Sequence, residues 1–211
     1  APYASTNAGF MHACGHDCHT ASLLTAARLI HDHRDQLYGT VKFAFQPAEE
    51  VGTGAPGMIR DGALEGVDSA FSIHIWSMIP AGKISVRGGP QLAAVDKFTI
   101  TIHGEGTHSA FPEKGVDPIL IAARIVNACE EISARELPAG TAAVLSFGSF
   151  QAGLDHNSIP DRAVLKGSIR VQDVDIRNFM GERLKCISEN IAKAFRGECV
   201  VDIKRGSSTV M

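Results

Sequence analysis

The order of strands and helices in the second half of the chain limits the fold more than any other feature of the sequence. Residues 97–103 alternate apolar and polar side chains, which predicts a strand with Phe98, Ile100 and Ile102 on one face. The same reasoning predicts six elements in the order β-α-β-β-α-β: strands at 97–103, 141–151, 162–172 and 199–204, a helix from Pro118, and a helix through 180–194. This order is typical of a ferredoxin-like fold, in which two helices cover one face of a four-stranded antiparallel sheet.

The first half of the chain predicts a partial α/β domain. Apolar residues at helical spacing favour a helix over residues 19–37, and β-rich runs favour strands at 39–46, 67–76 and 82–86. A Gly-Gly-Pro sequence at 88–90 marks a plausible crossing between domains. We therefore expect a first domain at 1–93, a second at 94–206, and a return towards the first domain at 207–211.

Composition excludes several classes of protein. The 211 residues carry a net charge of −3, which gives no basic surface for nucleic acid. No apolar run approaches the roughly 18 residues of a membrane span, and no secretory signal is recognisable. The five cysteines form no CxxC pair, which favours a reducing compartment such as the cytoplasm. Cys129, Cys186 and Cys199 fall on apolar faces and are interpreted as core thiols.

Residues 11–20 contain three histidines, two cysteines and an aspartate. A thiolate at Cys14 and an imidazole at His16 are ligand types that borderline divalent metals prefer. Their spacing is poor for one helix face, so we expect both in the turning chain that precedes the helix. The alternative is a histidine-rich helix start whose side chains cap backbone groups.

Two carboxylates and a histidine follow the predicted strands of the first half. Glu49 and Glu50 come directly after residues 39–46, and His74 lies near the end of 67–76. An adjacent carboxylate pair is usually solvated surface, and a lone strand histidine is usually structural. Beside thiolate and imidazole ligands, however, one carboxylate can bind a metal while its neighbour moves a proton.

Residues 52–57 match the dinucleotide pattern GxGxxG, but this interpretation is rejected. Glu49 and Glu50 would repel a pyrophosphate, and Pro56 lacks the N–H that a phosphate cradle needs. Pro56 instead suits the first turn of a short helix through Met58 and Ile59.

Six motifs in order resemble the aminoacylase and hippurate-hydrolase branch of the di-metal amidohydrolases. That branch includes N-acyl-amino-acid deacylases and hydrolases of indole-acetyl-amino-acid conjugates. The match covers essentially the whole chain. The motifs are HACGHDCHT (12–20), FQPAEE (45–50), IHIW (73–76), GEGTHSAFPEKGVDP (104–118), HNSIPD (156–161) and GSIR (167–170).

The resemblance implies a site for two divalent metal ions, manganese or zinc. It implies Cys14, His16, Glu50 and His74 as metal ligands and Glu49 as the general base. The implied reaction is hydrolysis of the amide bond of N-acyl amino acids. The rival interpretation is a non-catalytic dimerisation or binding module that lacks a complete metal site.

The second domain of the family is a lid that also forms the homodimer. On it, His108 resembles the histidine that holds the developing oxyanion, while Asn157 and Arg170 resemble the groups that bind the substrate carboxylate. The pattern supports the last role, since Ile169 and Val171 share one strand face and turn Arg170 to the other. Without the resemblance, Arg170 could equally be an exposed strand arginine.

The sequence also departs from the family. Members are longer, with an upstream strand bearing an aspartate motif and a C-terminal half bearing the last histidine ligand, so we expect this chain to be a fragment with one incomplete metal site. Cys18 stands where glycine is common, and could perturb metal binding or oxidise with Cys14. Glu113 stands where histidine is common, and could alter the lid near substrate.

Overall fold

The structure is a computed structural model that describes residues 1–86 and 88–210. Its contacts divide the chain into Ala1–Val86, called unit 1, and Arg87–Met211, called unit 2. Unit 1 contains helices α1 (His16–Asp32) and α2 (Gly54–Arg60) and a short 3-10 helix at Arg34–Gln36. Within the described residues, no helix is long and apolar enough to cross a membrane.

Unit 2 has the predicted β-α-β-β-α-β order, with a short two-stranded sheet added. Its four long strands form one antiparallel sheet in the order β3-β5-β1-β6, and β2 pairs with β4 beside it. The predicted long elements are confirmed and differ only at their ends. In chain order the elements are β1 (Ala94–His103), β2 (Thr107–His108), α3 (Pro118–Glu131), β3 (Ala143–Ala152), β4 (Ser158–Ile159), β5 (Arg162–Val171), α4 (Val174–Ala194) and β6 (Glu198–Arg205).

The core of unit 2 lies between the sheet and its two helices. Phe98, Ile100 and Ile102 are buried on one face of β1, as the alternation predicted, and pack in one cluster with Ile125 of α3 and Leu184 of α4. Because each fully buried aliphatic or aromatic side chain contributes about 1.5–3 kcal/mol, this layer accounts for the stability of the unit.

Aspartates fix where both helices of unit 2 begin. An Asp117 carboxylate oxygen accepts hydrogen bonds from the N–H groups of Ile119 and Leu120, and Asp173 caps α4 in the same way. Such caps satisfy otherwise unpaired donors and are each worth about 1 kcal/mol. Pro118 at the first position of α3 loses no helical hydrogen bond, because that N–H has no partner in a helix.

A buried ion pair joins three segments of unit 2. The Arg177 Nε donates to Asp96 Oδ2 at 2.9 Å, the Nη2 donates to Asp96 Oδ1, and the Gly206 N–H also donates to Oδ1 at 3.1 Å. Burial alone would raise the pKa of Asp96, but the hydrogen bonds from Arg177 and Gly206 outweigh it and hold this pKa below its usual value. The pair therefore connects the start of β1, the start of α4 and the chain after β6.

Replacing Asp96 with asparagine is expected to destabilise unit 2 by about 3–5 kcal/mol, because the charge of Arg177 would then be buried without a partner. Urea unfolding at neutral pH measures this loss. Since the folded-state pKa of Asp96 is lowered, its contribution is complete above its unfolded pKa of about 3.9 and disappears as pH falls through the folded value. The difference between wild type and variant should therefore shrink only below about pH 4.

The exposed pair Lys185–Glu189, with an Nζ–Oε1 distance of 3.9 Å, provides the control. Glu189→Gln should change the free energy of unfolding little, because exposed pairs are screened by water. Equal losses in Asp96→Asn and Glu189→Gln would contradict the structural importance of the buried pair.

The cysteines of unit 2 differ in their surroundings. Cys129 is fully buried, and burial raises its pKa to about 12; Cys199 is half-buried, with a pKa raised to about 11. The prediction that Cys186 is a core thiol is wrong, because Cys186 is exposed. Cys186 lies between Leu184 and Ser188, which face the core, and so falls on the opposite side of α4.

Unit 1 differs from its predicted secondary structure. Helix α1 begins at His16 and ends at Asp32, so the predicted range of 19–37 is wrong at both ends. None of the segments 39–46, 67–76 and 82–86 forms a strand. A strand is defined by hydrogen bonds to a neighbouring strand, and no ladder or bridge joins any two segments of residues 1–86.

Unit 1 also has no buried apolar core of its own. Gly54 is the one residue of 1–86 that is buried, whereas Phe45, Phe71 and Trp76 are 47%, 90% and 48% exposed. The three segments predicted as strands are rich in apolar residues. An apolar segment forms a buried strand, however, only where another layer of secondary structure covers it. Within residues 1–86 no such layer exists.

Candidate metal centre

The start of α1 places the first two candidate ligands side by side. Gly15 caps the helix with a left-handed φ of 82°, a conformation that favours glycine. Cys14 therefore lies just before the helix and His16 is its first residue. The expectation that both precede the helix was wrong for His16, because α1 begins at His16, three residues before the predicted start at residue 19.

A tight loop presents Glu49 and Glu50. A Cβ added to Gly54 would lie 1.6 Å from the Pro47 carbonyl oxygen, so only glycine allows the first turn of α2 to close on the loop. The Gly52 N–H donates to the Glu49 carbonyl oxygen at 2.8 Å. Two glycines of the GxGxxG pattern thus shape a carboxylate loop, and the predicted short helix is confirmed at Gly54–Arg60.

Three of the four predicted ligands come together in unit 1, and the fourth, His74, contacts one of them. Donor atoms of Cys14, His16 and Glu50 all lie within 4.8 Å of one another. The His16 Nε2 lies 3.4 Å from Glu50 Oε1, and the Cys14 Sγ lies 3.4 Å from His74 Nε2. Two donors on one tetrahedral zinc ion, at about 2.0–2.3 Å from the metal, stand roughly 3.3–3.6 Å apart. The donor set therefore fits a divalent ion in both chemistry and spacing.

Glu49 lies beside this cluster. Its Oε2 is 3.5 Å from His16 Nε2, on the same imidazole nitrogen that Glu50 approaches. Its side chain is 54% exposed, so the carboxylate is open to water. Adjacent residues of one loop thus hold one carboxylate within the donor set and one at its edge.

The electrostatics of the cluster favour a cation. The pKa of the Cys14 thiol is raised, first by a hydrogen bond with Glu50, then by partial burial and by the negative charges of Glu50 and Glu49. A bound cation reverses this effect, because a coordinated thiol loses its proton. Metal affinity at this cluster should therefore rise with pH.

Sequence reasoning gave no role to His19, although it lies in the same motif. The His19 Nε2 accepts a hydrogen bond from the Ile75 N–H at 2.9 Å, and its ring meets the His74 ring edge-on with centroids 4.5 Å apart. Burial, and then the charges of His74 and His16, lower the pKa of His19. The available signal was its spacing of three residues from His16, which puts both on one helix face.

In unit 2 the structure brings His108 and Asn157 together. Strand β2 ends at His108 and pairs with β4, and the Ser109 N–H donates to the Asn157 carbonyl oxygen at 2.9 Å. The His108 Nδ1 accepts a hydrogen bond from the Ala110 N–H at 3.1 Å, which leaves the ring proton on Nε2. His108 is exposed, so its Nε2–H can donate to a ligand.

Arg170 is not brought near these two residues within unit 2. It is exposed on the sheet face opposite Ile169 and Val171, as predicted, and pairs with Val95. Asn157 comes before the start of β5 at Arg162, whereas Arg170 lies eight residues further along that strand, roughly 27 Å from Arg162.

The two departures from the family pattern lie at exposed positions. Cys18 is exposed on α1, and Glu113 is exposed in the 3-10 turn Pro112–Lys114. Neither has a role that this structure reveals.

A βαββαβ unit and a thiolate–imidazole–carboxylate cluster define an α/β protein with a candidate metal centre. The family model described as Peptidase family M20/M25/M40 matches residues 1–197, and the chain belongs to this family. The resemblance drawn from the motifs is thereby confirmed.

Two curated relatives and one solved structure illustrate the similarity. The chain is 42% identical over 194 residues to N-acetyl-L-cysteine deacetylase of Bacillus subtilis, covering 92% of this chain and 47% of the relative. It is 39% identical over 193 residues to N-acyl-L-amino acid amidohydrolase of Geobacillus stearothermophilus, covering 91% and 52%. The crystal structure of the Bacillus subtilis YXEP protein, a dinuclear metal-binding peptidase from the M20 family, matches with a TM-score of 0.80 and 35% identity, covering 100% and 53%. The chain thus spans about half the length of the proteins it matches.

Proposed function

We propose that the whole protein to which this chain belongs is a metal-dependent amidohydrolase that cleaves the amide bond of N-acyl amino acids. The observation that carries the proposal is the convergence of Cys14, His16 and Glu50, with His74 in contact with Cys14 and Glu49 beside His16. The names of the two curated relatives favour N-acyl amino acids as the substrate class. The free cysteines are consistent with the cytoplasm.

Cys14, His16, Glu50 and His74 would hold the metal. When bound, divalent manganese or zinc supplies Lewis-acid polarisation of the scissile carbonyl and a water of lowered pKa. Two ions per site are proposed from the resemblance, and the dinuclear relative supports this number.

Glu49 is proposed as the general base. Its carboxylate is adjacent to the donor cluster and open to water, so it can take a proton from the attacking water and deliver it to the leaving amine nitrogen. Glu50, held 3.4 Å from the same imidazole nitrogen, would serve as a ligand instead.

Unit 2 is proposed as the lid and as the surface of a homodimer. The Nε2–H of His108 would donate to the developing oxyanion, a role that requires the tautomer which the Ala110 N–H selects. The Asn157 amide and the Arg170 guanidinium would bind the free carboxylate of the substrate, since a planar guanidinium pairs with a carboxylate through two parallel hydrogen bonds.

The rival function is a non-catalytic dimerisation or binding module that lacks a complete metal site, for which unit 2 supplies a core of its own. The rival predicts that the whole protein binds no metal at this cluster.

Replacing Cys14 with alanine tests the proposal. The wild-type whole protein is expected to retain divalent metal after dialysis, and Cys14→Ala should lose it, because the thiol belongs to the three-residue donor cluster and also contacts His74. Elemental analysis measures the metal-to-protein ratio. Cys186→Ala, which removes an exposed thiol elsewhere, should keep its metal. Full metal content in Cys14→Ala would refute the ligand assignment.

A further inference from the structure

His19 lies beside the metal cluster and has no role in the proposed function. It contacts none of the candidate ligands through a hydrogen bond, but it holds the backbone next to one of them. The Ile75 N–H donates to His19 Nε2 at 2.9 Å, and since a peptide N–H can only donate, the ring proton of His19 must be on Nδ1.

The carbonyl group of Ile75 contacts His74. The His74 Nδ1 lies 2.5 Å from the Ile75 carbonyl oxygen, and a carbonyl can only accept, so Nδ1 carries the proton. The Nε2 of His74 is then unprotonated, and it is this atom that lies 3.4 Å from the Cys14 sulfur. The Ile75 N–H is thus bound by His19, and the Ile75 carbonyl selects the His74 tautomer whose Nε2 is free to bind a metal.

No β-sheet positions the segment around His74 and Ile75 within residues 1–86. Residues 71–76 belong to no strand, and no ladder joins any two segments of residues 1–86. The hydrogen bond from Ile75 to His19 instead attaches this segment to α1, the helix whose first residue is His16. The ring of His19 also lies against both neighbours, with centroids 4.5 Å from His74 and 5.6 Å from His16.

We propose that His19 is a positioning residue for the metal site, which acts through the Ile75 peptide to fix the place and the tautomer of His74. Metal-binding histidines depend on the group that accepts from their other nitrogen, and loss of such outer partners typically costs about 10–100-fold in metal affinity. The inference rests on the proposed function, because it assumes that His74 binds a metal.

The test measures zinc affinity of the whole protein by competition with a chromophoric chelator, with no substrate present. His19→Phe keeps the ring volume but removes the acceptor, and should weaken zinc binding about 10–100-fold. His19→Gln places an amide oxygen near the position of Nε2 and should restore most of the affinity. His31→Phe, the same change at an exposed position of α1, should bind zinc as wild type does.

A second pair keeps the test decisive if His19→Phe does not fold. His19→Asn and His19→Gln carry the same amide and differ by one methylene, so only the glutamine side chain reaches the Ile75 N–H. Zinc affinity should therefore be higher in His19→Gln than in His19→Asn. Equal zinc affinity in wild type, His19→Phe and His19→Asn would overturn the inference and leave the proposed function intact. A wild-type protein that binds no zinc would overturn both.

Discussion

Replacing Glu49 with glutamine should lower kcat for N-acyl amino acid hydrolysis by about a hundred- to ten-thousandfold, which is the usual contribution of general acid–base catalysis. Glutamine keeps the size and polarity of the side chain but cannot take a proton from water. Because Glu49 lies at the edge of the donor cluster, with its Oε2 3.5 Å from His16, metal content should change little. Steady-state kinetics and elemental analysis of the same preparation check both parts.

Substitutions at two other glutamates serve as comparisons in this experiment. Glu50→Gln removes a proposed ligand, so it should lower metal content along with activity and separate the roles of the two neighbours. Glu65→Gln, an exposed carboxylate change elsewhere in unit 1, should leave both unchanged. Near-normal turnover in Glu49→Gln would remove the proposed base, and loss of metal in that variant would make Glu49 a ligand.

The fold of unit 2 could be predicted from the sequence because its signals are local and agree with one another. The alternation in β1 and the proline that opens α3 at Pro118 each identify an element without knowledge of its neighbours. The buried Asp96–Arg177 pair could not be predicted, because 81 residues separate the two side chains and only the folded sheet and helix bring them together.

In unit 1 the candidate site was predicted better than the secondary structure. The motifs gave Cys14, His16 and Glu50 as candidate ligands, and their donor atoms lie together, whereas none of the three predicted strands forms. Ligand chemistry depends on a few side chains, but a strand needs a hydrogen-bonded neighbour that residues 1–86 do not supply. The part played by His19 was missed for a related reason: its partner, the Ile75 N–H, is a backbone group that no side-chain motif reveals.

The position of Arg170 has a consequence for how a complete site would be assembled. Two groups that bind one carboxylate lie within a few ångströms of each other. Asn157 precedes the Arg162 end of β5, whereas Arg170 lies eight strand residues from that end, a length of roughly 27 Å. If both bind the substrate carboxylate, we expect them to come from different subunits. The exposed edges of the sheet, β3 and β6, offer surfaces through which two copies could pair.

Mixed dimers of the whole protein test this division. His108→Ala and Arg170→Ala should each be nearly inactive as homodimers. Co-expressed with two different affinity tags and purified as the mixed dimer, they should recover about half of wild-type activity, because a two-fold symmetric dimer would then hold one site with both residues intact. Recovery is expected only if His108 and Arg170 of one site belong to different subunits.

A second mixed dimer, His108→Ala with Glu49→Gln, identifies which residue crosses to the other subunit. If His108 serves the metal cluster of the partner, the subunit that retains Glu49 receives an intact His108 from the other, and one good site forms. If Arg170 crosses instead, each site contains one of the two defects and no activity returns. Absence of recovery in both mixtures, together with sedimentation of the whole protein only as a monomer at micromolar concentration, would show that unit 2 neither forms the dimer nor divides the site between two subunits.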